Sequence, residues 1–151
     1  MHAMTDAPVL QTDLSDMTDD AVLAHGATTT MTVEKARALV KMFADVTASQ
    51  DIEAFLLGFT DDCVVWYPPS RTIQGKQVLR EFLSKRANRS EFTCTKQLRT
   101  INGNVLGVTW VSQWVDPKDS TRHERRGVEF WIMRGEQIAR WDCSTTTYPI
   151  E

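Results

Sequence analysis

The sequence is poor in cysteine, histidine and glycine, and it has no long apolar run. Three of its 151 residues are cysteine, three are histidine and seven are glycine. Because Cys63, Cys94 and Cys143 are odd in number and far apart, they favour reduced, buried thiols over a disulfide framework. No apolar stretch approaches the roughly 20 residues that span a bilayer, and the N-terminus is acidic where a signal peptide is basic and then apolar. These features predict a cytoplasmic protein that does not bind membranes.

Charge and short motifs argue against several further classes of function. The formal net charge of -3 gives no excess of positive charge for binding nucleic acid. The sequence contains no H-x-H, H-E-x-x-H or C-x-x-C spacing, no glycine-rich phosphate loop and no G-x-S-x-G motif. We therefore expect no nucleic-acid partner, no metal and no cofactor, so that any reaction would be a proton transfer.

Two regions of different pattern divide the chain. Residues 1–30 lack periodicity and are rich in Asp, Thr, Ala and Met, so they are predicted to form an extension outside the core, either a tail or a lid. Residues 31–151 are predicted to form one domain, which begins with a helix capped by Thr32. Apolar residues at helical spacing predict two further helices, over 52–59 and 76–88, with the strand "CVVWYPP" between them.

Four strands in succession are predicted after the helices. Turn sequences such as Asn102-Gly103 separate four segments of alternating pattern, which are 91–101, 104–116, 122–133 and 137–147. Helices that are segregated from an antiparallel run of strands predict an α+β fold. In such a fold a strongly curved, mostly antiparallel sheet encloses the three helices.

The segment "RRGVEFWIM", residues 125–133, has an unusual pattern for a strand. Its alternation puts Glu129 on the same face as Trp131. The opposite face is apolar throughout and consists of Val128, Phe130 and Ile132. Both faces are therefore apolar, and one of them holds a carboxylate.

The sequence resembles the nuclear transport factor 2-like superfamily in three stretches, which are "ADVTASQDIEAFLLGFTDDCVVWYPPSRTIQGKQVLREFL", "NGNVLGVTW" and "GVEFWIMRGEQIARW". The resemblance covers roughly residues 33–147. That superfamily includes ketosteroid isomerase, limonene epoxide hydrolase, scytalone dehydratase and the SnoaL-like polyketide cyclases. The resemblance implies a cone in which a curved sheet wraps three helices around an apolar pocket, often with a dimer formed through the outer face of the sheet.

In such a cone Glu129 would face the pocket, and the opposite apolar face of its strand would face outward. An outward apolar face predicts a homodimer. A carboxyl group in an apolar pocket can hold or accept a proton near neutral pH, so Glu129 is predicted to be a catalytic acid or base. The alternative for Glu129 is a structural ion pair with Arg125 or Arg140.

Individual positions match ketosteroid isomerase only in part. Glu129 falls where the resemblance places the protonated carboxylic acid of the oxyanion hole. Phe43 stands in place of the oxyanion-hole tyrosine, and Tyr67 stands in place of the aspartate base. Tyr67 and Glu129 would then form a new acid/base pair, whereas the alternative for Tyr67 is a buried ring with its hydroxyl bonded to backbone. The Arg-x-Asp pair of limonene epoxide hydrolase is replaced by Trp110 and Ser112.

The remaining pocket residues follow from the resemblance and from strand parity with Glu129. The predicted substrate-binding residues are Phe43, Val65, Val108, Trp110, Ser112, Trp131, Trp141 and Cys143. An apolar, tryptophan-rich pocket with few polar groups favours a flat hydrophobic ligand. We therefore expect a cofactor-independent isomerase, dehydratase or cyclase for a hydrophobic, carbonyl-bearing small molecule. The alternatives are a non-catalytic binding or dimerisation module of the same fold, and tryptophans that serve only as core.

Overall fold

The computed structural model describes residues 31–68, 72–86 and 88–150. The extension predicted for residues 1–30 lies outside the described residues, and its separation from the domain over 31–151 stays a prediction. The helices are α1 (Val33–Ser49), α2 (Ile52–Leu56) and α3 (Lys76–Ser84). The strands are β1 (Phe59–Trp66), β2 (Ile73–Gln74), β3 (Ser90–Asn102), β4 (Val105–Val115), β5 (Arg122–Arg134) and β6 (Gln137–Ile150). Among the helices of the described ranges, none combines the length and the apolar character that crossing a bilayer requires.

The first helix begins where the sequence predicts, because Thr32 caps it. The Thr32 hydroxyl accepts a hydrogen bond from the backbone N–H of Lys35 at 3.2 Å. Glu34 lies in the first turn, where the helix dipole favours negative charge. The buried stripe that follows includes Val40 and Phe43, which point into the core.

The second helix is shorter than its apolar spacing predicts. It ends at Leu56, and Phe59, which the spacing assigns to the helix, is the first residue of β1. The reason lies at Gly58, where a Cβ atom would lie 2.1 Å from the Phe43 ring. Since only glycine leaves room for this approach, the chain passes directly against the ring as it turns from the helix into the strand.

The six strands form one sheet in the order β2-β1-β6-β5-β4-β3. The predicted antiparallel succession of the last four strands is confirmed. Strand β1 joins this meander in parallel beside β6, with Val65 opposite Trp141. The two-residue strand β2 lies between the predicted strand "CVVWYPP" and the third helix, where the sequence predicts no helix or strand. The fold is therefore α+β, with three helices and a curved, open, mostly antiparallel sheet.

Side-chain parity in the last strands places the predicted face inside. Glu129 on β5 lies opposite Val108 on β4 and Cys143 on β6, and each of the three residues is 2% exposed or less. The one irregularity in the pairing of β5 with β6 falls before Trp141 along the chain. Trp141 and Cys143 therefore keep the inward orientation that strand parity predicts.

The outer face of β5 exposes two large apolar side chains. Val128 and Phe130 are 53% and 52% exposed, and Ile132 on the same face is partly exposed. A contiguous apolar patch in contact with water is unfavourable for a monomer. We propose that this face forms the interface of a symmetric homodimer, in which the same patch of both protomers is buried.

Replacing Phe130 with glutamate is expected to convert the homodimer into monomers. A two-fold axis brings the same position of both protomers together, so each new carboxylate would be desolvated in the interface or face its copy. Sedimentation velocity at micromolar concentration measures the change. Val33→Glu, at an equally exposed valine at the start of α1, is the control. A wild-type protein that sediments as a monomer contradicts the proposal.

Candidate functional site

A cavity of about 140 Å³ lies between the helices and the inner face of the sheet. Its aromatic lining consists of Phe55, Tyr67, Phe82, Phe92, Trp110 and Trp141. Its cationic lining consists of Arg86, Arg89, Lys96 and Arg125. Small-molecule sites combine apolar walls with a few oriented polar groups in this way. All three helices and strands β3 to β6 contribute to the lining, so the cavity depends on the whole fold.

Glu129 lies behind the cavity wall and accepts three hydrogen bonds. Its Oε1 accepts from Lys96 Nζ at 2.6 Å and from Trp131 Nε1 at 3.0 Å. Its Oε2 accepts from Trp141 Nε1 at 2.9 Å. The Glu129 side chain is 0% exposed and is not part of the cavity lining. The carboxylate is therefore satisfied by buried donors on both oxygens.

Both predictions about the surroundings of Glu129 are wrong. A carboxyl group alone among apolar neighbours was one expectation, but Lys96 balances its charge. An ion pair with Arg125 or Arg140 was the alternative. The structure instead pairs Arg140 with Asp142, and Arg125 donates to hydroxyl groups. Strand parity identifies the face of a residue, but it does not identify the residue's partner on a strand that is not adjacent in the chain.

Lys96 connects Glu129 to the cavity. Its side chain is 5% exposed, and Nζ lies 5.2 Å from the centre of the Trp110 ring and 5.7 Å from that of Trp131. Burial alone would lower the pKa of Lys96, but the charge of the Glu129 carboxylate and its hydrogen bond to Lys96 outweigh burial and raise it. Lys96 is therefore an ammonium at neutral pH. Within the described residues its one hydrogen-bond acceptor is Glu129, which leaves N–H donors for a ligand oxygen.

Sequence reasoning did not select Lys96, although β3 carries the same signal as β5. Cys94, Lys96 and Leu98 share one face of β3, so a charged residue lies between two apolar ones on that face. Lys96 lies among apolar residues on one face of β3, and Glu129 lies among apolar residues on one face of β5. Two such residues of opposite charge indicate a buried ion pair. Searching for a second charged residue of inward parity would have found it.

Tyr67 lies just after β1 with its hydroxyl near an arginine. The residue is 5% exposed, and its ring contacts those of Phe82 and Trp141 at centroid distances of 5.7 and 5.6 Å. Arg125 Nη1 lies 3.4 Å from the Tyr67 hydroxyl, and the Arg86 guanidinium lies 4.6 Å from the ring centre. Within the described residues the hydroxyl has no backbone partner, so it is available to a ligand in the cavity.

The cavity includes some of the predicted substrate-binding residues and leaves out others. Trp110, Ser112 and Trp141 line it. The structure places the other five in the core beside or behind it, and these are Phe43, Val65, Val108, Trp131 and Cys143. Parity predicts the inner face correctly, but the cavity occupies only part of that face. Contact of any of these residues with a ligand stays a prediction.

Gly127 explains the position of Trp110 in the cavity wall. The two residues are paired across β4 and β5, and a Cβ atom on Gly127 would lie 2.4 Å from the Trp110 ring. The indole therefore lies directly against the glycine backbone, which a side chain would prevent. This packing holds the Trp110 ring against β5, and Lys96 Nζ lies 5.2 Å from the ring centre.

Two of the three thiols lie beside this site. Cys94 lines the cavity, and burial raises its pKa. Burial, followed by the Glu129 carboxylate, raises the pKa of Cys143 far above its usual range. Both thiols are therefore protonated at neutral pH, which makes neither a good nucleophile.

One group within the described residues could offer three metal ligands. It consists of Asp116, Asp119 and His123, at the hairpin between β4 and β5. The two aspartates already accept hydrogen bonds from the backbone N–H groups of Lys118 and Thr121. These bonds account for the group as part of a turn.

Fold and site together define a class of protein, since the chain has the nuclear transport factor 2-like fold with a cavity at the inner face of its sheet. The resemblance noted in the sequence is thereby confirmed. The chain belongs to the family described as "Protein of unknown function (DUF1348)", whose model matches residues 29–150. A search of the curated proteins gives no match.

Solved structures with this fold differ widely from the chain in sequence. SalBIII, an epoxide hydrolase/cyclase-like enzyme of pyran ring formation in the polyether salinomycin, is 18% identical over 77% of this chain and 95% of its own, with a TM-score of 0.65. A hypothetical protein with a ketosteroid isomerase-like fold from Catenulispora acidiphila, in complex with trimethylamine, is 15% identical over 70% and 83%, with a TM-score of 0.62. A computationally designed 17-OHP binder is 16% identical over 74% and 95%, with a TM-score of 0.60. At these identities the likeness shows the fold.

Proposed function

We propose that the protein is a cofactor-independent isomerase, dehydratase or cyclase that acts on a hydrophobic, carbonyl-bearing small molecule. The observation that carries the proposal is the Lys96 ammonium, which is buried at the cavity wall beside Glu129. The solved epoxide hydrolase/cyclase-like enzyme with the same fold supports it as an analogy. The proposal keeps the predicted acid/base chemistry, but the residue that contacts the substrate is Lys96 and not Glu129.

A buried ion pair contributes little net stability, and this favours a functional role for Lys96. Removing two charges from water often offsets their attraction, so an apolar pair of similar volume is frequently as stable or more stable. In a site that excludes water, a fixed ammonium strongly stabilises negative charge that develops on a substrate oxygen. We infer that Lys96 donates to the carbonyl oxygen as it becomes an enolate.

Tyr67 is the proposed proton-transfer group. Its hydroxyl faces the same cavity and lies beside the Arg125 guanidinium. In the proposed step the Tyr67 oxygen, in its deprotonated form, takes a proton from the carbon next to the carbonyl and returns it to carbon when the enolate collapses, while Lys96 stabilises the charge on the carbonyl oxygen. Glu129 does not reach the cavity, so its role is to hold Lys96 charged and in position.

The second candidate is a module that binds a small molecule without converting it. One observation favours it: within the described residues, the only carboxylate in the cavity lining is that of Asp51. Its Oδ1 accepts a hydrogen bond from the backbone N–H of Ala54 at 3.0 Å, as the cap of α2. The 17-OHP binder with the same fold supports this candidate in the same way.

Proton transfer next to a carbonyl can be tested before the natural substrate is known. A panel of enolisable ketones with apolar rings is incubated with the protein in D₂O, and NMR follows deuterium uptake at the carbon next to the carbonyl. Isomerisation, dehydration and cyclisation through an enolate share this partial reaction, so the wild type is expected to accelerate it for some members. Tyr67→Phe is expected to slow it by about 100- to 10,000-fold.

Tyr148→Phe is the matched control, because Tyr148 lies on β6 outside the cavity lining and bonds to Glu124. It is expected to leave the exchange rate unchanged. Exchange no faster than in buffer for the whole panel would reject proton transfer and leave the binding module as the function.

A further inference from the structure

Three arginines of the cavity lining are held in place by aromatic rings. The Arg86 guanidinium lies 4.3 Å from the centre of the Phe82 ring. Those of Arg89 and Arg125 lie 4.3 and 5.2 Å from the Trp114 ring. Stacking on aromatic faces positions a guanidinium while leaving its edge free for hydrogen bonding. All three arginines are partly exposed, so a ligand entering the cavity can reach them.

The charge of these arginines is not balanced by the protein within the described residues. None of the three takes part in the ion pairs found there. Arg125 donates to hydroxyl groups, with Nε bonded to Thr147 Oγ1 at 2.7 Å and Nη1 lying 3.4 Å from the Tyr67 hydroxyl. Asp51, which also lines the cavity, caps α2. Other arginines do form ion pairs with carboxylates, namely Arg80 with Glu53 and Arg134 with Asp62.

Mutual repulsion acts on Arg89 in particular. Burial, and then the charges of Arg125 and Arg86, lower its pKa to about 10. The backbone of Arg89 is fixed from both sides by the Gln50 side chain, which accepts from its N–H at 2.8 Å and donates to its carbonyl at 2.8 Å. The chain thus holds a partly buried cation beside two others, an arrangement that a bound anion would stabilise.

We propose that the cavity binds an organic anion, with a carboxylate or phosphate group between Arg89 and Arg125 and a flat apolar body against the aromatic wall. Guanidinium groups match both kinds of oxyanion by charge and by their planar pairs of N–H donors. Trp110 and Trp141 provide the apolar contact for the body, which then extends toward Lys96. An organic anion would then be the substrate class of the proposed enzyme. This rests on the proposed function only in that the same cavity is the active site.

The test compares probes that differ in charge and share one apolar body. Isothermal titration calorimetry measures the binding of 2-naphthoate, 2-naphthyl phosphate and the neutral 2-naphthamide to the wild-type protein. At least one anion is expected to bind about ten- to a hundredfold more tightly than the amide, the range for hydrogen bonds to charged groups. The better of the two anions identifies the oxyanion that the arginines prefer. Equal binding of all three probes would overturn the proposal.

Variants then locate the anion. Arg89→Met and Arg125→Met are expected to remove most of the preference for the anion and to leave binding of the amide within a few fold. Arg99→Met carries the same charge change at an exposed position on β3 outside this lining, and it should keep the preference. A preference that survives both cavity substitutions would overturn the proposed position. The probe comparison on the wild type needs no variant to fold.

Binding and turnover fail separately in these experiments. Preferential binding of the anion without deuterium exchange would support the anion site and count against proton transfer. Exchange of neutral ketones together with equal binding of the three probes would support proton transfer and reject the anion site.

Discussion

Glu129→Gln is expected to lower the free energy of unfolding by about 3–5 kcal/mol, because it removes one partner of a buried ion pair and leaves Lys96 without its counter-charge. Both side chains are almost inaccessible to water, at 5% exposure for Lys96 and 0% for Glu129. Water therefore cannot replace the lost carboxylate. Urea unfolding at neutral pH measures the change.

The double variant Lys96→Met/Glu129→Gln separates the ion pair from simple loss of packing. It removes both charges and keeps similar volumes, so it is expected to be clearly more stable than Glu129→Gln alone. Glu53→Gln is the control, since Glu53 forms its ion pair with Arg80 at the surface and should change stability little. A single variant as stable as the wild type would show that the Lys96 charge is not buried in solution as it is in the structure.

Lys96→Met is expected to lower turnover by about 100- to 1,000-fold per folded molecule, the usual loss when one donor to a developing oxyanion is removed. The substrate for this measurement is whichever ketone the wild type exchanges fastest. Lys41→Met is the matched control, because Lys41 is an exposed lysine on α1 that pairs with Asp45. It should leave turnover unchanged.

The double variant decides between a catalytic and a structural role for the pair. If Lys96 acts on the substrate, Lys96→Met/Glu129→Gln recovers stability and stays inactive. Glu129→Gln alone is expected to lower turnover by roughly 100- to 10,000-fold, as a misplaced or discharged lysine no longer stabilises the oxyanion. A double variant that is stable and fully active would reject the role of Lys96 in the reaction.

Local patterns were sufficient for most of the elements and for one half of the site. The Thr32 cap fixes the start of α1, and period-two alternation places Glu129 inside and Phe130 outside. The boundary of α2 could not be read in this way. Phe59 continues the helical spacing, but the close approach of Gly58 to Phe43 ends the helix earlier.

The sequence by itself determined the α+β class, the resemblance to a nuclear transport factor 2-like fold and the face on which Glu129 lies, because these depend on periodicities that extend over a few neighbouring residues. Only the tertiary structure decided which residue forms an ion pair with Glu129. Lys96 is 33 positions away along the chain and on a strand that is not adjacent to β5 in the sheet. Its contact with Glu129 is set by the register of two strand pairs, in which Trp110 lies opposite both Lys96 and Gly127, and by the curvature of the sheet. Register and curvature are properties of the assembled sheet, and so are the arginines that converge on one cavity from separate elements.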